Sequence, residues 1–162
     1  MSGINGKQLF SKILVGIDGS AIALRAADSA ISIAKQLNIS NIIAVHVLPQ
    51  DIRYDYLTDR VDPDIPSPVK GAIELASLEA QEWFNKIKEK QTSDVYKKIN
   101  MQTEVLVGTK SIANEILTYA ANNDVDLIVV GTKGQSAFKK ALLGSVASSV
   151  LTHATCPVML VK

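Results

Sequence analysis

The chain has little metal-binding or redox chemistry to draw on. One cysteine, Cys156, and two histidines, His46 and His153, occur in 162 residues. A single cysteine excludes an intramolecular disulfide framework, and the three residues together argue against a zinc site. An excess of charge is missing too. Lys and Arg number 17 against 16 Asp and Glu, so no broad field draws nucleic acid or an anionic membrane, and a charged ligand has to be held locally. No apolar run approaches the roughly 20 residues that span a bilayer, and the polar start MSGINGKQLFSK lacks the apolar segment of a signal peptide. A cytoplasmic location is expected, with no membrane or nucleic-acid partner.

The apolar residues that are present alternate between two patterns. KILVGI at 12–17, NIIAVHV at 41–47, QTEVLV at 102–107, DLIVV at 126–130 and PVMLV at 157–161 have strand length and composition. Between them lie helical spacings: Leu24, Ala27, Ala30, Ile31, Ala34 and Leu37, then Ile73, Ala76, Ala80, Trp83, Phe84 and Ile87, then Ile112, Ile116, Leu117 and Ala120. Asp18 or Ser20 can cap the first helix and Thr109 or Ser111 the third, and Ser145 opens a last helix reaching about Leu151. Strands alternating with helices predict an α/β fold with a parallel sheet covered on both faces. Pro63, Pro66 and Pro68 mark residues 50–69 as a long mobile insertion inside one domain of residues 1–162.

Two glycine-bearing turns follow strands: GIDGS at 16–20 and GTKG at 131–134. In open α/β sheets ligands bind beyond the carboxyl ends of the strands, where strand order reverses. Glycine there can adopt positive φ or let backbone come close to a ligand. Gly144-Ser145 opens a helix whose free amides on Ser145, Val146 and Ala147 suit a phosphate. Neither familiar phosphate loop is present. Walker A needs G-x-x-x-x-G-K-[ST], and the dinucleotide fingerprint needs G-x-G-x-x-G, whereas the first turn here reads Gly16-Ile17-Asp18-Gly19.

What occurs instead is G-x-x-G-x9-G-[ST], as Gly131, Gly134, Gly144 and Ser145 directly after DLIVV. This motif, with KILVGIDGS, IIAVHV and HATCPVMLVK around it, resembles the universal stress protein family over nearly the whole chain. The resemblance implies an open, Rossmann-like, five-stranded parallel sheet in order 3-2-1-4-5, of the adenine nucleotide alpha hydrolase type, with ATP between strands 1 and 4. It implies that Gly16, Ile17 and Asp18 lie on the nucleoside or metal side and that Val47 meets adenine. Val130 and Gly131 would approach the ribose, with Gly134, Gly144, Ser145, Val146 and Ala147 around the phosphates. Ala147 departs from members with a hydroxyl there, which removes one phosphate hydrogen bond. The resemblance also implies a homodimer through the final strand, Pro157 to Val161.

Plainer readings stand beside these. Asp18 is a hard oxygen ligand suited to Mg²⁺ or a helix cap. Trp83 reads first as a core anchor, His46 as a structurally satisfied strand residue, His153 as a helix-end cap and Cys156 as a buried small side chain. Gly19 and Gly108 read as turn residues. Lys133, Lys139 and Lys140 read as solvated, although each could screen phosphate. Three functions compete: a nucleotide-dependent regulator, a weak ATPase or autophosphorylating enzyme, and a dimeric interaction module without nucleotide. No constellation for efficient hydrolysis stands out, so no catalytic residue is assigned. A phosphoacceptor receiver domain would need an Asp where Val107-Gly108 stands.

Overall fold

A computed structural model describes residues 10–48, 68–92, 99–108, 110–134 and 143–162. Strands β1 (Lys12–Gly16), β2 (Asn41–Leu48), β3 (Asn100–Val107), β4 (Leu127–Gly131) and β5 (Val158–Val161) form one sheet. Its order is β3-β2-β1-β4-β5 and every pairing is parallel, as expected. Helices α1 (Ala21–Leu37), α2 (Pro68–Thr92), α3 (Ile112–Asn122) and α4 (Ser145–His153) connect them. The insertion expected at 50–69 lies outside the described residues except for Pro68 and Val69, which begin α2.

The period-two alternation along the strands divides the core. Ile13 and Val15 of β1, Ile42 and Ala44 of β2 and Val129 of β4 pack with α1 and with Phe84 and Ile87 of α2. Leu14, Ile43, Val45, Ile128 and Val130 point the other way, into a cluster with Ala113 and Ile116 of α3 and Val150 of α4. The central strands are buried on both faces, which is why they read as continuous apolar runs. The edge strand β3 differs from that expectation. Gln102 and Glu104 are exposed while Met101 and Val105 pack inward, so its first half is covered on one face only.

Caps settle the alternatives left by the sequence. Ser20 is the N-cap of α1, its Oγ accepting from Ala23 N at 3.1 Å, and Ser111 caps α3 by accepting from Asn114 N at 3.1 Å. At the amino end of the sheet, Asp126 accepts from Ser11 N and Oγ at 2.7 Å each and from Lys12 N at 3.1 Å. That carboxylate pins the start of β1 beside β4, the strand pair whose opposite end opens onto the cavity.

Candidate functional site

Strand order reverses at β1. Its chain neighbour β2 lies on one side and β4 on the other, so the loops leaving β1 and β4 diverge and leave a crevice at their carboxyl ends. A cavity of about 590 Å³ occupies this position, within the usual size of small-molecule sites. Gly16, Ile17 and Asp18 line it from β1, Val47 from β2, and Val130, Gly131 and Gly134 from β4. Gly144, Ser145, Val146 and Ala147 complete the lining at the start of α4. All eleven site residues expected from the sequence therefore converge on one cavity.

The turn after β4 is stitched to α4. Thr132 N donates to Val161 O at 2.7 Å, and Thr132 O accepts from Gly144 N at 2.7 Å. Thr132, buried at 7% exposure, thus ties the end of β5, the motif turn and the helix start together. Gly144 is the N-cap residue and supplies no side-chain cap. The first intrahelical bond runs from Ser148 N to Gly144 O at 2.9 Å, so the amides of Ser145, Val146 and Ala147 precede it. Ala147 is only 3% exposed and belongs to the apolar cluster under α3 and α4, which leaves its amide as the polar group it can offer.

The motif glycines are not there for positive φ. Among the described residues Gly19, at φ 79°, is the glycine in the left-handed region. Gly131, Gly134 and Gly144 answer to close approach. A Cβ on Gly131 would lie 2.7 Å from Ile22 Cγ2, and one on Gly144 would lie 3.3 Å from Thr132 O. A Cβ on Gly134 would run into the carboxylate of Asp18. The second loop therefore packs directly against the first, and Asp18 sits at the seam.

Asp18 Oδ1 accepts from Ser20 N at 3.0 Å, while Oδ2 faces Gly134. Capping of α1 falls to Ser20, and the turn bond from Ser20 N helps to hold the Asp18 carboxylate at the cavity. Next to it, His46 Nδ1 lies 2.7 Å from Ile17 O. A carbonyl only accepts, so Nδ1 is the donor in this contact. The satisfied histidine read from the strand is this one, and it also lines the cavity.

Trp83 departs from the simple core reading. It packs against the α1/α2 cluster but is half-buried, and it lines the cavity with its ring edge-on to His46, the centroids 5.1 Å apart at 84°. Sequence reasoning did not anticipate that Ala76 and Glu79 of α2 and Ile112 and Ile116 of α3 also line the site. Their spacing marked one helix face each but not what that face would meet. Lys133, read as solvated, is half-buried in the lining; Lys139 and Lys140 lie outside the described residues.

A smaller cavity of about 320 Å³ lies between α3 and the segment leading into β5, lined in part by Asn114, His153 and Cys156. His153 Nδ1 is 2.8 Å from Ser149 O, which fits the helix-end role expected of it. Cys156 is half-buried rather than fully buried. Burial pushes its thiol above the usual range, and the carboxylate of Asp126 adds to this. The protonated thiol is a poor nucleophile.

Comparison with known proteins agrees with this architecture. The model of the universal stress protein family matches residues 9–162. A universal stress protein of Methanocaldococcus jannaschii is 38% identical over 162 residues, covering 98% of this chain and 85% of its own. The solved universal stress protein UspA of Lactobacillus plantarum aligns with a TM-score of 0.71 at 27% identity, over 94% of this chain and 98% of that one. A universal stress protein from Archaeoglobus fulgidus, solved in complex with dAMP, aligns with a TM-score of 0.61 at 22% identity over 95% and 99% of the two chains. A further universal stress protein, solved in complex with cAMP, aligns with a TM-score of 0.61 at 23% identity over 94% of this chain and 97% of that one.

Proposed function

This chain belongs to the universal stress protein family, and on that premise we propose that it is a stress-response regulator that binds ATP with Mg²⁺ in the crevice between β1 and β4. The observation that carries the reading is the meeting, in one cavity, of the uncapped start of α4, the Gly131–Gly134 turn and the Asp18 carboxylate. Free first-turn amides with the positive end of a helix dipole behind them favour phosphate oxygens. A carboxylate beside that turn is a hard oxygen ligand that would set a cation next to phosphate. The donor set thus fits Mg²⁺, with Asp18 its ligand, and the ion when bound would neutralise phosphate charge. The neighbours that carry dAMP and cAMP support an adenine nucleotide as the class of ligand for this fold.

In this reading Gly134, Gly144, Ser145, Val146 and Ala147 receive the phosphates. Val130 and Gly131 face the ribose, Gly16 and Ile17 the nucleoside, and Val47 the adenine. Lys133 adds a cation at the phosphate end. Rapid hydrolysis needs a base or a residue that positions water. Among the described residues at that end the carboxylate is Asp18, already bonded to Ser20 N, so a sensor is favoured over an enzyme. Calorimetric titration with ATP, ADP, AMP and cAMP, with and without Mg²⁺, tests this. ATP should bind, more tightly with Mg²⁺, and phosphate release should be slow. Negligible heat for every nucleotide overturns the reading.

The same reading takes residues 1–162 as one domain, supported by a family match that runs from residue 9 to 162. It includes a homodimer formed along β5. Val158 to Val161 is an edge strand, apolar on both faces and only half-buried along its length, and such an edge is a template for pairing with a second copy. Light scattering should give twice the 17.4 kDa chain mass at micromolar concentration. Leu160→Lys should lower it toward one chain; a wild-type mass of one chain sinks the dimer.

A further inference from the structure

We infer that Glu79 and Trp83 of α2 form a third wall of the site that receives the nucleoside half of the ligand and selects for its hydrogen-bond donors. This rests on the ATP-binding reading above. Ala76, Glu79 and Trp83 recur at i, i+3 and i+7, which places them on one face of α2, and all three line the cavity. That helix packs on β2 and β3 rather than on β4. The phosphate-seating turn follows β4, two strands from β2, and strands repeat at about 4.8 Å, so the α2 wall stands on the order of 10 Å across from that turn. A phosphate bound at α4 leaves its sugar and base to reach this wall.

The chemistry of the two ends differs accordingly. Lys133 and the open amides of α4 lie at the β4 end. Glu79 of α2 lines the cavity on the side of Trp83 and offers a carboxylate acceptor. A carboxylate there disfavours phosphate but accepts from an amine or hydroxyl. Trp83 is held in place before any ligand arrives, its ring edge-on to His46 and its indole seated over the bare Cα of Gly19. A rigid aromatic wall loses little freedom when a base packs on it.

Trp83 is the chain's one tryptophan, so its emission reports directly on ligand at this wall. The test uses calorimetry and tryptophan emission with the full chain, titrated with ATP, ITP, 2′-deoxy-ATP and inorganic tripolyphosphate in the presence of Mg²⁺. Wild type should bind ATP with a change in emission, whereas tripolyphosphate should bind without one. Glu79→Ala, at an exposed helix position that tolerates alanine, should weaken ATP by about tenfold, the loss of one charge-assisted hydrogen bond. Collapse of the ATP/ITP ratio in that variant identifies the base amine as the donor, and collapse of the ATP/2′-deoxy-ATP ratio identifies the ribose hydroxyl. Trp83→Leu should weaken all three nucleosides alike and leave tripolyphosphate unchanged. The inference is overturned if wild type binds ATP and Glu79→Ala keeps both ratios. It is also overturned if tripolyphosphate weakens in step with ATP in both variants, since both would then act through the phosphate end. No heat with ATP on wild type removes the ATP reading and this wall together.

Discussion

Gly134→Ala should lower ATP affinity between tenfold and a hundredfold while costing the free protein only about 1 kcal/mol of stability. The new methyl falls on the Asp18 carboxylate. That group is the end of a short side chain, so it can swing away at little cost to the fold. Gly134 does not occupy the left-handed region, so alanine brings no backbone strain of that kind. Swinging away, however, breaks the bond from Ser20 N to Oδ1 and moves the carboxylate from the seam between the two loops, where Mg²⁺ would be held beside phosphate. Lost charge-assisted contacts of about 1.5–3 kcal/mol correspond to roughly ten- to hundredfold in affinity. The check is a paired measurement: calorimetric Kd for ATP with and without Mg²⁺, and Tm of the free protein. The effect should be largest with Mg²⁺ present. Equal affinities for the two proteins, or a loss of Tm that accounts for the loss of binding, would refute the Asp18–Gly134 seam as the origin.

The legible parts of this fold were those set by local pattern. Strand and helix periods depend on which residues face the core, and Ile13, Leu14 and Val15 show that alternation one residue at a time. Strand order does not follow from periodicity; it came from the motif G-x-x-G-x9-G-[ST] and the resemblance it carries, and the structure has that order. The convergence of the eleven residues on one cavity was legible for the same reason. What stayed hidden depends on contacts between elements distant in the chain. Helical spacing marks Ala76, Trp83 and Phe84 as one face of α2, yet nothing local separates Phe84, buried at 1% exposure, from Trp83 at the cavity edge. The motif glycines were open to two physical roles, turn conformation or close approach, and only the packing of Gly134 on Asp18 and of Gly144 on Thr132 decides for the second. The one described glycine with positive φ, Gly19, lies outside the motif and reads from sequence as a plain turn.

Gly19→Ala should be the most destabilising single-methyl change among the described glycines, by about 2–4 kcal/mol. Two terms add. The residue sits at φ 79°, where an L side chain costs roughly 1–2 kcal/mol. Its Cβ would also collide with the six-membered-ring edge of Trp83 and lie 3.0 Å from its Nε1. Unlike the Asp18 carboxylate, that indole is rigid and is braced by His46 and by the α1/α2 cluster, so displacing it disturbs packing at a cost of about 1–2 kcal/mol. For a chain of this size the total should lower Tm by about 5–15 °C. The two terms separate in a double-mutant cycle with Trp83→Leu. If the collision is real, Gly19→Ala should cost about 1–2 kcal/mol less in the Trp83→Leu background than in wild type, leaving the backbone term alone. Strict additivity would mean that Trp83 does not press on the β1–α1 turn. A positive coupling ties α2 to the β1–α1 turn through the contact of Trp83 with Gly19. The same Gly19 cycle, read by ATP affinity instead of Tm, should then show coupling of the same sign.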